Sequence, residues 1–190
     1  MNKYFYIILI HQIIFQGMFF AKNIHLQRKT GKQIKGKNKE AVLSTIFFAL
    51  FIVTSMLFAS LDSPVGSFQI VDSSFSFIIA SILIAINIIV GAASLMNMKD
   101  SWRVGVLEDQ KNPLIEAGVY KFSRNPYFLS YILMFIAYTV LLQNIILFGF
   151  SIIGIILTHS MIIKEEQYLL SVHKESYLQY KKRVPRYFIA

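Results

Sequence analysis

Cysteine is absent from the chain. That excludes disulfides and thiolate metal sites and leaves the redox compartment open. Histidine is scarce and scattered, at His11, His25, His159 and His173. No pair has metal-ligand spacing and no carboxylate completes a facial set, so no metal is expected. No internal repeat or low-complexity segment is present. Acidic residues are few, 10 against 19 Lys plus Arg, for a formal net charge of +9. A basic balance of this kind can signal nucleic acid. In a chain this apolar it reads instead as basic loops that set topology and touch anionic lipid headgroups.

What is present in quantity is apolar sequence. Of the 190 residues, 55% are hydrophobic, too many for an ordinary soluble domain of this size. Several uncharged runs approach the roughly 20 residues that cross a bilayer. The fold class expected is all-α integral membrane: five transmembrane helices, a C-terminal helical hairpin and a cytosolic C-terminal helix. Residues 1–190 form a single membrane domain. Residues 1–96 hold the first three spans, and 97–190 the region where chemistry is sought.

Span one is placed at Tyr4 to Ala21. A cleaved signal peptide would carry its charge ahead of the apolar core. Here only Lys3 precedes, and seven basic residues follow between Lys22 and Lys39. The basic loop 22–40 is therefore read as cytosolic, with the N-terminus outside. Span two is Ala41 to Leu61, residues 62–74 are a short external loop without basic residues, and span three is Phe75 to Met96. Asn87 within span three is read as an interhelical hydrogen-bonding group, and Gly91-Ala92-Ala93-Ser94 as a close-packing patch. Residues 97–125 return to the cytosolic side with Trp102 as an interfacial anchor. From Pro126 to Ile163 no residue is charged, and Gln143-Asn144 marks a tight turn between spans four and five. Short loops and a compact chain suit a bacterial inner membrane.

This topology puts Arg124, Asn125, Glu165 and Glu166 at one end of the hairpin. Pro126 fits a first helical turn, whose free N–H groups attract an anion. Arg124 is a candidate bidentate clamp for a carboxylate. Glu165 and Glu166 would accept from an ammonium or from ribose hydroxyls. A ligand with both carboxylate and ammonium, such as the amino-acid end of S-adenosylmethionine, suits that opposition. Tyr120, Tyr127, Phe128, Tyr177 and Tyr180 would line an adenine slot or face a sulfonium. The rival reading is that these charges only fix topology, as charged helix ends commonly do.

The ordered set Trp102-Arg103-Val104-Gly105-Val106, Leu114-Ile115, Gly118-Val119-Tyr120, Arg124-Asn125-Pro126, Glu165-Glu166 and Tyr177-Leu178-Gln179-Tyr180 resembles the isoprenylcysteine carboxyl methyltransferase and phospholipid methyltransferase superfamily. The resemblance covers about residues 95–188. It implies an integral membrane enzyme that uses S-adenosylmethionine to methylate the carboxylate or amine of a lipid or isoprenoid-like acceptor. It implies that Leu114, Ile115, Gly118 and Tyr120 lie along the cofactor, that Asn125 and Pro126 form the turn beneath it, and that Glu165 and Glu166 bind its polar end. Arg124 would anchor the turn or the carboxylate. The catalytic candidates are Arg124, Asn125 and Glu165. Asn125 stands where many members have His, Ser130 where Gly is usual, and His159-Ser160-Met161-Ile162-Ile163 where the eukaryotic prenylcysteine enzymes place an Arg that holds the substrate carboxylate. Two rivals stay open. One is an NADPH-dependent membrane reductase of the steroid 5-alpha-reductase type, against which Ser130-Tyr131 replaces Gly-Glu. The other is a non-enzymatic membrane subunit. Acceptor and oligomeric state are not readable.

Overall fold

The computed structural model describes residues 2–31, 39–61, 64–102 and 113–188. They form five α-helices: α1 Lys3–Thr30, α2 Lys39–Ser60, α3 Ser73–Met98, α4 Pro126–Leu142 and α5 Ile145–Arg183. Short 3-10 turns at Lys99–Ser101 and Gly118–Lys121 complete the regular structure, and no strand occurs among the described residues. The segments Lys3–Thr30, Val42–Ser60, Ser73–Ser101 and Ile145–Arg183 are long and apolar enough to cross a membrane. The fifth, α4, has 17 residues, about 25 Å of helix at 1.5 Å per residue. Asn125 and Pro126 fix its start, and Gln143 ends it in a left-handed conformation at φ 42°.

This shorter helix is the centre of the bundle. It packs against α1, α2, α3 and α5 and buries Tyr131, Met134, Phe135, Ala137, Tyr138 and Leu141. Phe15 and Phe19 of α1, with Phe51 of α2, join them in one aromatic core. Edge-on ring pairs such as Phe51–Phe135, with centroids 4.8 Å apart, suit the quadrupoles of these rings. Glycine permits the closest approaches. A Cβ on Gly154 of α5 would meet Phe135 at 2.7 Å, and one on Gly91 of α3 would meet Phe15 at 2.9 Å.

Polar groups at the centre are matched across helices. His11 of α1 bonds the Tyr138 hydroxyl through Nδ1 and meets Asn87 Oδ1 through Nε2 at 2.7 Å. The Gln12 amide donates to the same Tyr138 hydroxyl at 2.7 Å, and Asn87 Nδ2 donates to the Ser130 carbonyl of α4. Asn87 is thus the interhelical bridge expected, tying α1, α3 and α4. Replacing it by Leu leaves His11 Nε2 and the Ser130 carbonyl without those partners. The expected loss is about 1–2 kcal/mol, read as a lower unfolding temperature in detergent.

The tip of the hairpin is the two-residue turn Gln143-Asn144, Asn144 capping α5 through Ile146 and Leu147 N–H. Residues 64–71 fold over this tip. Gln143 accepts from Ile70 N–H at 2.9 Å and from Val71 N–H at 3.1 Å, and Asn144 donates to the Val65 carbonyl at 3.0 Å.

Two expectations are corrected. The first helix does not end at Ala21. It runs through Lys22, Arg28 and Lys29 to Thr30, where Gly31 closes it at φ 63°. No helix breaker lies in that stretch, and Leu26 is fully buried, so packing carries the helix past the apolar run. Trp102 is not an interfacial anchor. It is 1% exposed, donates to Asn23 Oδ1 at 2.7 Å and packs edge-on against Tyr127. Span five and the C-terminal helix follow one another within Ile145–Arg183, with a kink at Lys174 (φ 45°) between two helical stretches. Residues 32–38 of the basic loop, Arg103-Val104-Gly105-Val106 of the quoted set, and Lys111 lie outside the described residues.

Candidate functional site

The site begins with a backbone problem. Helix α4 starts at Pro126, which lacks an N–H, and Asn125 at its N-cap makes no side-chain cap bond. The residues before it must therefore be held from elsewhere. Ser123 Oγ accepts the Asn125 N–H at 3.1 Å and donates to the Arg186 carbonyl at 2.9 Å. The Arg124 N–H donates to the Pro185 carbonyl at 3.0 Å. The turn 123–125 is thus pinned to the C-terminal segment 184–186.

Glu166 of α5 is the hub of this contact. Its carboxylate accepts from Arg124 Nη2 at 3.0 Å, Asn125 Nδ2 at 3.0 Å and Arg186 Nε at 3.1 Å on one oxygen, and from Arg186 Nη2 at 3.0 Å on the other. Arg124 also donates to the Val184 carbonyl at 2.6 Å and the Lys181 carbonyl at 3.3 Å. Both partners of the Arg124–Glu166 pair have side chains 7% exposed. Its hydrogen bonds to Glu166 hold the Arg186 guanidinium above its ordinary range. Arg124, expected as a clamp for a ligand carboxylate, is closed on Glu166 and the tail. Asn125 is likewise spent on Glu166, and Glu166 has no oxygen without a protein donor.

Glu165 differs from its neighbour in every respect. It sits about 100° around the helix from Glu166. It is half-buried and makes no hydrogen bond or ion pair among the described residues. Its charge reaches Tyr120. Burial first, and then the Glu165 carboxylate, raise the Tyr120 phenol far above its ordinary range, with a bond to Ser94 of α3 opposing. The Tyr177 hydroxyl, on a residue 1% exposed, makes no hydrogen bond among the described residues and has the Arg124 guanidinium within electrostatic reach. Glu165 and Glu166 are both within electrostatic reach of it.

The remaining residues singled out from the sequence gather around these groups. Leu114 packs on Tyr177, Tyr180 and Val184. The Tyr180 hydroxyl donates to the Tyr120 carbonyl at 2.7 Å. Gly118 takes φ 63°, and a Cβ there would lie 1.8 Å from Asn97 Oδ1, which accepts the Val119 N–H at 2.8 Å. Pro126 and Phe128 are buried in the first turn of α4. Ile115 is half-buried beside Leu114. No group of acids and histidines able to hold a metal occurs among the described residues.

Asn97 was not read from the sequence as part of this site, and neither Ser123 nor Arg186 was given a role toward the turn or Glu166. One signal was available for Arg186. Pro185 disfavours helix at Val184, so the chain had to leave the helix axis there and could turn back.

Residues 78–171 match the model of the isoprenylcysteine carboxyl methyltransferase (ICMT) family. The matched segment contains Gly118 to Pro126 and both glutamates; Tyr177, Tyr180 and Arg186 lie beyond it. No curated protein matches the chain.

Proposed function

We propose, from the premise that residues 78–171 place this chain in the isoprenylcysteine carboxyl methyltransferase family, that it is an S-adenosylmethionine-dependent membrane methyltransferase acting on the carboxylate or amine of an amphiphilic molecule. The observation that carries the cofactor reading is the pair of unmet groups at the α4–α5 end, the Glu165 carboxylate and the buried Tyr177 hydroxyl. A half-buried acid without a partner and an orphaned hydroxyl both lose free energy until a ligand answers them. An ammonium and a polar oxygen would do so, and this donor set fits the amino-acid end of S-adenosylmethionine.

Bound there, the cofactor would supply an electrophilic methyl group on a sulfonium. Glu165 would take the ammonium. Leu114, Ile115, Gly118 and Tyr120 would form the wall along the nucleoside, with Phe128 and Tyr180 behind it. Arg124, Asn125, Pro126 and Glu166 would act through structure: their mutual bonds fix the turn that floors the pocket. With Glu165 assigned to the ammonium, the contribution of the protein is alignment and exclusion of water. The acceptor would arrive from the bilayer between helices. In this reading α4 is the fourth of five crossings, and the basic segments after α1, after α3 and at the end of α5 face the cytosol. The exposed Lys181 and Lys182 would meet anionic headgroups there.

The test is calorimetric titration of the detergent-purified protein with S-adenosylhomocysteine, with NADPH in parallel. Saturable binding of the first is expected. Glu165→Gln is expected to weaken it at least about tenfold, the scale of one charge-assisted bond, without lowering the unfolding temperature. Binding of NADPH alone would move the protein to the reductases, and binding of neither by a folded sample would end the enzyme reading.

A further inference from the structure

The Glu166 hub is unbalanced in charge. Two guanidiniums, Arg124 and Arg186, converge on one carboxylate. They are not equivalent. Arg124 has a side chain 7% exposed and three acceptors on the protein. Arg186 has a side chain 30% exposed and uses only Nε and Nη2, both on Glu166. Its Nη1 makes no hydrogen bond among the described residues. Glu166 therefore holds the Arg186 guanidinium by one edge and leaves a second edge open, with more positive charge than the hub itself neutralises.

Tyr177 connects this open edge to Glu165. Its buried hydroxyl makes no hydrogen bond among the described residues, and Arg124, Glu165 and Arg186 all lie within electrostatic reach of it. A positive group, an unmet hydroxyl and a negative group gathered at one end of the hairpin are complementary to a carboxylate and an ammonium on one carbon. A guanidinium offering paired N–H groups is the side chain best shaped for a carboxylate.

We infer that Arg186 is a cofactor-binding residue that takes the carboxylate of the amino-acid end of S-adenosylmethionine, with the Tyr177 hydroxyl between it and the ammonium held at Glu165. This rests on the methyltransferase reading above. It moves the carboxylate contact from Arg124 to a residue of the C-terminal tail, beyond the segment that matches the family.

The experiment compares two probes: S-adenosylhomocysteine, and the same thioether carrying a 3-aminopropyl group, which keeps the ammonium and lacks the carboxylate. The wild-type protein should prefer the first by about 10- to 100-fold, the range of a charge-assisted contact. In Arg186→Gln that preference should fall to about threefold or less, because only the carboxylate-bearing probe loses affinity. Arg186→Lys should keep part of it. Equal weakening of both probes would mean that Arg186 acts only by steadying Glu166, and an undiminished preference would mean that it does not meet the carboxylate; either overturns the inference. Tyr177→Phe gives an independent arm if Arg186→Gln does not fold. It removes a hydroxyl that makes no hydrogen bond among the described residues, so the unfolding temperature should hold or rise while S-adenosylhomocysteine binds about three- to tenfold more weakly. Unchanged affinity in that variant contradicts the proposed order of groups. If the wild-type protein binds neither probe, the methyltransferase reading falls and this inference falls with it.

Discussion

Glu166→Ala is expected to destabilise the protein by about 3–5 kcal/mol, because it strands buried cationic and amide donors that have no other carboxylate. Arg124 and Asn125 lose a shared acceptor at 3.0 Å, and Arg186 loses both of its side-chain bonds. The consequence extends along the chain. With Glu166 gone, the only remaining ties between the turn 123–125 and residues 181–186 are those to backbone carbonyls. For a chain of this length the loss is roughly 10 °C in unfolding temperature, followed by the fluorescence of Trp102, the sole tryptophan. Glu166→Gln keeps one acceptor oxygen and should fall between. A Glu166→Ala protein that melts within about 2 °C of wild type would show that the hub does not hold this end together.

The contrast with Glu165 makes the pair diagnostic. Glu165→Gln removes a charge that no protein group satisfies, so stability should be unchanged or slightly higher while ligand affinity drops. Adjacent acids, about 100° apart on one helix, are thus expected to divide the work: one holds the fold, and the other meets the proposed ligand. A loss of binding in a Glu166 variant alone would therefore say little about contact with the cofactor, since the same variant disturbs the turn proposed to floor its site.

Much of this arrangement was legible in the chain. An uncharged stretch from Pro126 to Ile163 with Gln143-Asn144 inside it has few solutions other than a hairpin, and the hairpin brings Arg124 to the glutamates. Asn87 in an apolar helix had to find a partner, and it did. What was not legible depended on contacts far apart in sequence. That α1 continues to Thr30 rests on Leu26 being buried and on Asn23 meeting Trp102, and no local pattern encodes either. The same bond turned Trp102 inward. Which glutamate would be consumed could not be read from Glu165-Glu166, because the answer lies with Arg186, twenty residues later. Arg186 in turn reaches Glu166 only because the chain leaves the helix at Val184-Pro185.

Gly118→Ala is expected to have the largest effect of any one-carbon change at the site. At φ 63° an L-residue costs about 1 kcal/mol or more, and the added Cβ would lie 1.8 Å from Asn97 Oδ1 and 2.4 Å from its Cγ. Both sides cannot stay. If Asn97 swings away, the Val119 N–H loses its acceptor; if the 3-10 turn moves, Tyr120 is drawn off Ser94 and from the Tyr180 hydroxyl that its carbonyl receives. Either response disturbs the wall proposed to run along the nucleoside. Affinity for S-adenosylhomocysteine should fall by more than about tenfold, the scale of a misplaced contact surface, with a smaller loss of stability than Glu166→Ala because the hub is untouched. The mechanism has its own check. Asn97→Ala removes the obstructing amide, so adding it to Gly118→Ala should cost little beyond the single glycine variant and should recover part of the lost affinity, a strongly non-additive pair. Additive losses in the double variant would mean that the clash with Asn97 is not what makes glycine necessary at this position.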